Sequence, residues 1–215
     1  MSGLLTAVPS VARADGSVVR LRMLRARDRR EWEALRSVNA RWLSEWEATS
    51  PEPAPFRLSF RQLVRWFDKE AQGRRMLPFV ITLDGVLVGQ MHLFGITWGS
   101  TRSGAAGYWV SRSVAGQGIA PLALAMLCDH AFGSLGMHRI EVNIRPDNDA
   151  SLRVVAKLGM RDEGIRAKYL HINGAWHDHR TFALTTEDPQ AQAMVSRLTQ
   201  QQHAPERRHT EAGPR

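Results

Sequence analysis

Between residues 18 and 24 apolar and basic side chains alternate, with Val19, Leu21 and Met23 against Arg20 and Arg22. A period of two predicts a half-buried strand. After that the period lengthens. Asp28 with Glu31 three residues on has the spacing of a capping box, which predicts a helix running through about Trp42. A second helix follows Ser59, with Phe60, Leu63, Val64 and Phe67 at helical spacing; the stretch between, SPEPAPF (50–56), reads as a Pro-rich loop. LPFVITL and VLVGQMHLFGI are two strands joined at Asp84-Gly85, a hairpin signal. SGAAGYWVSRS is a further strand, PLALAMLCDHAF a helix with Pro121 in its first turn, and HRIEVNIRP a strand. PDND turns into a helix from about Ala150 to Leu158, closed by Gly159. MRDEGIRAKYLHI and WHDHRTFALTT are strands flanking Asn173-Gly174. From Glu187 the chain turns polar, with a short helix near Ala191–Leu198, and the end, QQHAPERRHTEAGPR, is expected to be disordered. The order is strand, two helices, three strands, helix, strand, helix, two strands. It predicts one α/β domain (an α+β mixed sheet) with antiparallel hairpins and two helical crossovers.

One stretch breaks the periodicity. VAGQGIA (114–120) sets two glycines between an extended apolar run and a helix. Glycine lets backbone approach a ligand or take positive φ, and a helix start offers unpaired N–H groups at a positive dipole end. Together these form an anion site suited to phosphate. A tight strand-to-helix turn that binds nothing fits the same residues.

Composition narrows the class. The chain has 215 residues, 43% of them hydrophobic, enough for a sizeable core. No apolar run approaches the ~20 residues that span a bilayer, and the first stretch is too short and weakly apolar for a signal peptide. A soluble, cytoplasmic protein without membrane association is expected. The single cysteine, Cys128, excludes an internal disulfide and a cysteine metal cluster. Net charge is +8; residues 11–36 alone carry eight arginines against Asp15, Asp28, Glu31 and Glu33. Such a surface suits RNA, a ribosome or a polyphosphate ligand, or is simply a solvated face.

Taken in order, GYWV, GQGIA before the long helix, HRIEVNIRPDNDASLRVVAKLGM and IRAKYLHINGAWHDHRTFALT resemble the GNAT N-acetyltransferases, and among them the ribosomal-protein-alanine (Rim-type) enzymes. The resemblance covers about residues 17–187, leaving 1–16 as an N-terminal extension and 188–215 as a polar tail. It implies the GNAT acyl-CoA N-acyltransferase fold and acetyl-CoA as co-substrate, with no metal. The implied reaction is acetyl transfer to the N-terminal amine of a protein beginning with Ala, in that subfamily a ribosomal protein. A small-molecule amine such as an aminoglycoside or polyamine, or a ribosome-associated CoA-binding module with little catalysis, are the alternatives, because a fold does not fix its acceptor.

The resemblance also assigns residues. The amides of Gln117, Gly118, Ile119 and Ala120 would hold the pyrophosphate, although Ala115 stands where the family carries Gln or Arg. Val110 and Asn148 would bond the pantetheine arm, Val110 from a strand end that splays from its neighbour. Trp109 is core or a wall of the acceptor cleft. Ser151 would lie near the sulfur as a proton donor or relay for the thiolate, against an ordinary reading as a first-turn residue. For deprotonating the ammonium, relatives place a carboxylate where this chain has Lys168. Glu141 is the next candidate, or else a surface residue paired with Arg139 or Arg145. His171, His177 and His179 also titrate in range; the last two share a strand face but lack further ligands for a metal. For the acceptor, Trp42 and Trp46 at i, i+4 with Glu45 and Glu47 suit a peptide amine, through charge attraction and ring stacking. Core packing explains one of those tryptophans equally well.

Overall fold

In a computed structural model of the chain, residues 8–52 and 58–203 are described. Eight strands form one sheet: β1 (Val11–Ala12), β2 (Val18–Met23), β3 (Leu77–Leu83), β4 (Val86–Thr97), β5 (Ser103–Val110), β6 (Arg139–Ile144), β7 (Arg161–Ile172) and β8 (Ala175–Thr185). Their spatial order is β1-β2-β3-β4-β5-β6-β8-β7. Every pairing is antiparallel except β5 with β6. That parallel pair is short, matching Ser103, Gly104 and Ala105 to Arg139, Ile140 and Glu141. Beyond it β5 stays with β4 and β6 stays with β8, so the sheet splits into two antiparallel blades. Both predicted hairpin turns form, with positive φ at Asp84-Gly85 and Asn173-Gly174.

Among the described residues, six α-helices cover the two faces. The first face takes α4 (Ile119–Asp129), whose residues from Pro121 to Cys128 are all buried. A helix apolar all round must be enclosed on every side, and α4 lies between the sheet, α5 (Asp149–Leu158) and α6 (Met194–His203). The other face takes α1 (Arg29–Val38), α2 (Ala40–Ser44) and α3 (Phe60–Gln72); Trp32, Phe60, Val64 and Phe67 pack on Val80 and Leu87. Ser59 caps α3 in a capping box with Gln62. Residues outside 17–187 add to the core: Val8, Met194 and Leu198 are buried in the main cluster, and Asp129 accepts from the N–H groups of Met194 and Val195. No described helix is long and apolar enough to cross a membrane. Residues 53–56 of the Pro-rich loop, and the tail from Ala204, lie outside the described residues.

Three local expectations are corrected. Asp28 and Glu31 do not cap a helix together. Asp28 ends a 3₁₀ turn, takes both Arg22 nitrogens at 2.6 and 3.1 Å and accepts from the Arg25 N–H; Glu31 accepts from the Leu87 N–H at 2.6 Å. The predicted continuous helix to Trp42 is interrupted at Asn39. That buried amide donates to the Leu35 carbonyl and to Ser111 Oγ and accepts from the Arg112 N–H, competing with the helical pattern. The last helix starts at Met194, three residues later than expected, after a 3₁₀ turn at Pro189–Ala191.

Candidate active site

Where the blades part, a cleft of about 410 Å³ opens. Its walls come from Gln90, His92 and Phe94 of β4, Ala106 to Trp109 of β5, Val142 to Ile144 of β6 with Arg145 after it, Tyr169 and Leu170 of β7, His179 of β8, Leu43, the segment 46–48, and Asn148 and Ser151 of α5. Backbone polarity along β5 follows from one bond. The Ser111 N–H donates to the Val88 carbonyl at 2.6 Å, so in this antiparallel register Val110 and Tyr108 turn their N–H and C=O groups away from β4. They face the gap that β6 has vacated. Trp42 Nε1 donates to the Val110 carbonyl at 3.2 Å, leaving the Val110 N–H on the open side.

The chain leaves β5 through the glycine-rich turn. Gly116 and Gly118 take φ of 80° and 79°, and Gly118 is the N-cap of α4. A side chain at either position would be strained. The N–H groups that follow have no carbonyl one turn back, and Pro121 removes one of them. Gln117 to Ala120 therefore lie at the end of the splayed strand, beside the cleft rather than among its lining residues. The Asn39 amide fixes this exit through Ser111 and Arg112.

On the opposite blade Asn148 caps α5, its Oδ1 accepting from the Ser151 N–H at 3.0 Å. The first-turn reading of Ser151 is thus true of its backbone, while its side chain lines the cleft. There it acts on the Tyr108 hydroxyl, whose pKa burial pushes up and Ser151 opposes. The pair does not close into an aligned hydrogen bond, and the Tyr108 hydroxyl is buried without a partner among the described residues. An orphaned buried hydroxyl costs about 1–3 kcal/mol, which a ligand atom in the cleft would recover.

The far wall is aromatic and imidazole-rich. Trp46 lies under the Arg145 guanidinium, 4.9 Å from the ring centroid; Arg145 also donates to the Glu45 carbonyl at 2.9 Å and grips Asp147. The segment is further held by Thr49 N–H to the His171 carbonyl at 2.8 Å and an Ala48–Ile172 bridge. Because α2 stops at Ser44, Trp42 and Trp46 do not share a helical face. Trp46 and Glu47 line the cleft and Trp42 braces Val110 instead. Glu47 is tied to Arg36 at 2.7 Å. Trp109 donates from Nε1 to Gln90 Oε1 at 3.1 Å, and the Gln90 amide nitrogen meets His92 Nε2. Burial pulls the His92 pKa down to about 3, so its imidazole is neutral. Burial also lowers the His179 pKa, against the bond from Nδ1 to the His177 carbonyl at 3.0 Å, with Arg145 pushing the same way as burial. That bond puts the proton on Nδ1 and leaves Nε2 as an acceptor at the cleft.

The structure does not bring Glu141 into this cleft. Its carboxylate is held by Arg139 at 3.0 Å and Arg166 at 2.9 Å, in a ladder that also contains Glu163 and Arg161. The partner is Arg166 rather than Arg145 because β7 lies next to β8 on that face. Lys168 is exposed and takes φ of 50° in an irregular stretch of β7, its N–H bonded to Asp178; the adjacent Tyr169 reaches the cleft. Sequence reading missed Tyr108, Gln90 and His92, whose only trace was polar residues inside apolar strands.

This geometry has known counterparts. A "Probable N-acetyltransferase YjcK" of Bacillus subtilis (strain 168) is 38% identical over 105 residues, 49% of this chain and 58% of that protein. The "[Ribosomal protein uS5]-alanine N-acetyltransferase" of Escherichia coli (strain K12) is 32% identical over 102 residues, 47% of this chain and 53% of that protein. The matched segment thus spans little more than half the length of these curated relatives. Among solved structures, "Mycobacterium smegmatis RimJ in complex with CoA-disulfide" superposes with a TM-score of 0.81 at 38% identity, covering 89% of this chain and 94% of that one. Residues 19–161, two thirds of the chain, match the Acetyltransferase (GNAT) domain, and the chain belongs to that family.

Proposed function

We propose that this protein is an acetyl-CoA-dependent N-acetyltransferase acting on the N-terminal amine of a protein, with an N-terminal Ala and a ribosomal protein as the favoured acceptor. One observation carries the reading. The splayed β5–β6 pair opens a cleft with an orphaned phenol beside a serine on one side and an aromatic, neutral-histidine wall on the other. The splay suits an extended thiol arm, for which the Val110 N–H and the Asn148 amide are donors. The amides at 117–120 suit its diphosphate.

The coenzyme, when bound, supplies the thioester to be attacked. The chain handles the protons. An α-amine of pKa ~7.7–8.0 must lose one before it attacks, and His179 Nε2 takes it, in the role first given to Glu141, whose carboxylate is spent on two arginines. Ser151, coupled to Tyr108, returns a proton to the departing thiolate. Trp46 and Glu47 receive the incoming peptide. Glu47 is the single carboxylate among the described lining residues and is already paired, which disfavours a polycationic acceptor. The exposed Arg20, Arg25, Arg27 and Arg30 suit contact with a phosphate-rich acceptor particle such as a ribosome.

A thiol-release assay tests the reading with acetyl-CoA and a short Ala-initiated peptide, against spermidine and an aminoglycoside. Turnover of the peptide well above the small amines is expected. An inert peptide with a fast polyamine replaces it by the small-molecule reading. No thiol release with any of these acceptors, despite CoA binding, points to the binding module.

A further inference from the structure

The stretch ahead of β2 reaches the glycine-rich turn. β1 pairs with β2 through Val11–Val19 and Ala12–Val18, and the connecting turn is closed by Arg13 N–H to the Ser17 carbonyl at 2.8 Å and Gly16 N–H to the Arg13 carbonyl at 3.0 Å. This sets Arg13 at the sheet end where β5 runs out. Its side chain is only 13% exposed. Nη1 bonds Ser17 Oγ at 3.0 Å and pairs with Asp15 at 2.9 Å, while Nη2 crosses 104 residues of sequence to the Gln117 carbonyl at 2.7 Å. Asp15 is itself braced by Ser17, whose hydroxyl and N–H hold its pKa below the usual carboxylate range, so the guanidinium is clamped from behind. The Arg13 Nε–H is buried without a partner among the described residues.

We propose that Arg13 is a positioning residue for the coenzyme phosphates, acting through the Gln117–Gly118 peptide; this rests on the reading of 117–120 as their cradle. In a trans peptide the C=O and N–H point to opposite sides. Drawing the Gln117 carbonyl onto Arg13 turns the Gly118 N–H the other way, toward the open side of the turn, where φ of 79° starts α4. The guanidinium also adds a positive charge behind a loop in which position 115 is alanine. A charge-assisted bond to a carbonyl is stronger than a neutral one, and without it two glycines leave this peptide free to rotate.

The test compares acetyl-CoA with acetyl-pantetheine, which transfers the same acetyl group but has no phosphate, using one amine acceptor. In wild type and in Arg13→Ala, Arg13→Lys and Gly118→Val, KM and kcat are measured for both donors, with melting temperatures alongside. Arg13→Ala is expected to raise the acetyl-CoA KM about tenfold with kcat within about twofold, and to leave the acetyl-pantetheine KM in place; Arg13→Lys is expected to recover part of the loss. Equal losses on both donors, or no loss on acetyl-CoA, overturn the proposal. If Arg13→Ala does not fold, the donor ratio of Arg13→Lys decides by the same criterion. A wild type that treats both donors alike refutes the cradle itself, whereas loss of donor preference in Gly118→Val but not in the Arg13 variants refutes the Arg13 role alone.

Discussion

The two sides of the cleft are built by different means. The side proposed for the donor is mostly backbone: the outward groups of Val110, the turn at Gly116–Gly118 and the capped start of α5 at Asn148. The side proposed for the acceptor is side chains from separate elements, with Trp46 held by Arg145, Trp109 by Gln90, and His179 by the His177 carbonyl. Backbone sites need permissive residues at fixed offsets, and such punctuation shows in a sequence. A side-chain wall depends on which strands become neighbours, so it can be rebuilt for another acceptor while the donor side stays the same.

Four perturbations sharpen or break this contrast. The largest effect is expected at the acceptor wall. His179→Ala should lower kcat by about 10²–10³-fold with CoA affinity unchanged. Burial puts the His179 pKa below the ordinary 6.5, so the imidazole is neutral above that value and the wild-type rate should fall only as acid protonates it. The variant's rate should instead rise with the amine's own titration near pH ~7.7–8.0. An unchanged pH–rate profile would remove His179 from proton transfer.

Ser151→Ala comes next, with up to ~10²-fold lower kcat and constant CoA affinity. The N-cap bond survives because it uses the Ser151 N–H, so calorimetric stability should hold within about 1 kcal/mol. Full activity in this variant would reduce Ser151 to its backbone role. On the donor side, Gly118→Val forces a β-branched residue to φ of 79°, costing about 1–3 kcal/mol and weakening CoA binding by about 10–100-fold in isothermal titration. Retained affinity would mean that the phosphates lie elsewhere.

The last effect is on folding. His92 has a native pKa of about 3 against an ordinary 6.5, so between those values the unfolded chain binds the extra proton. Stability should therefore be complete above about pH 6.5 and fall as pH drops through that window, by at most about 1.4 kcal/mol per unit. His92→Gln should flatten that limb in urea titrations at pH 7, 5.5 and 4. An equally steep limb in the variant would assign the acid sensitivity to other groups.

Much of the fold was legible because its signals are local. Asp84-Gly85 and Asn173-Gly174 predict hairpins since both residues must take positive φ, and the helix after Ser59 follows from apolar residues at helical spacing. The break at Asn39 was not legible. An asparagine in a helical pattern carries no mark that its partners are Ser111 and Arg112, 72 and 73 residues away. For the same reason Trp42 and Trp46 looked like one helical face. Glu141 looked like a base because strand parity fixes the face a residue lies on, while the arginines it meets come from strand order.

By itself, then, the sequence determined the alternation of strands and helices, the hairpin turns, the all-apolar α4 and the permissive backbone ahead of it. Periodicity and φ preference act over a few residues, and a single chain displays them directly. Tertiary structure decided the rest. The cleft exists because β5 and β6 each follow an antiparallel partner and part after three residue pairs. His179 is a neutral acceptor because packing buries it beside Arg145 and the His177 carbonyl holds its other nitrogen. Arg13 meets Gln117 because the turn of the first hairpin and the end of β5 lie at the same end of the sheet's strands. Desolvation, strand neighbours and long-range hydrogen bonds are properties of a folded arrangement, and no spacing along the chain encodes them.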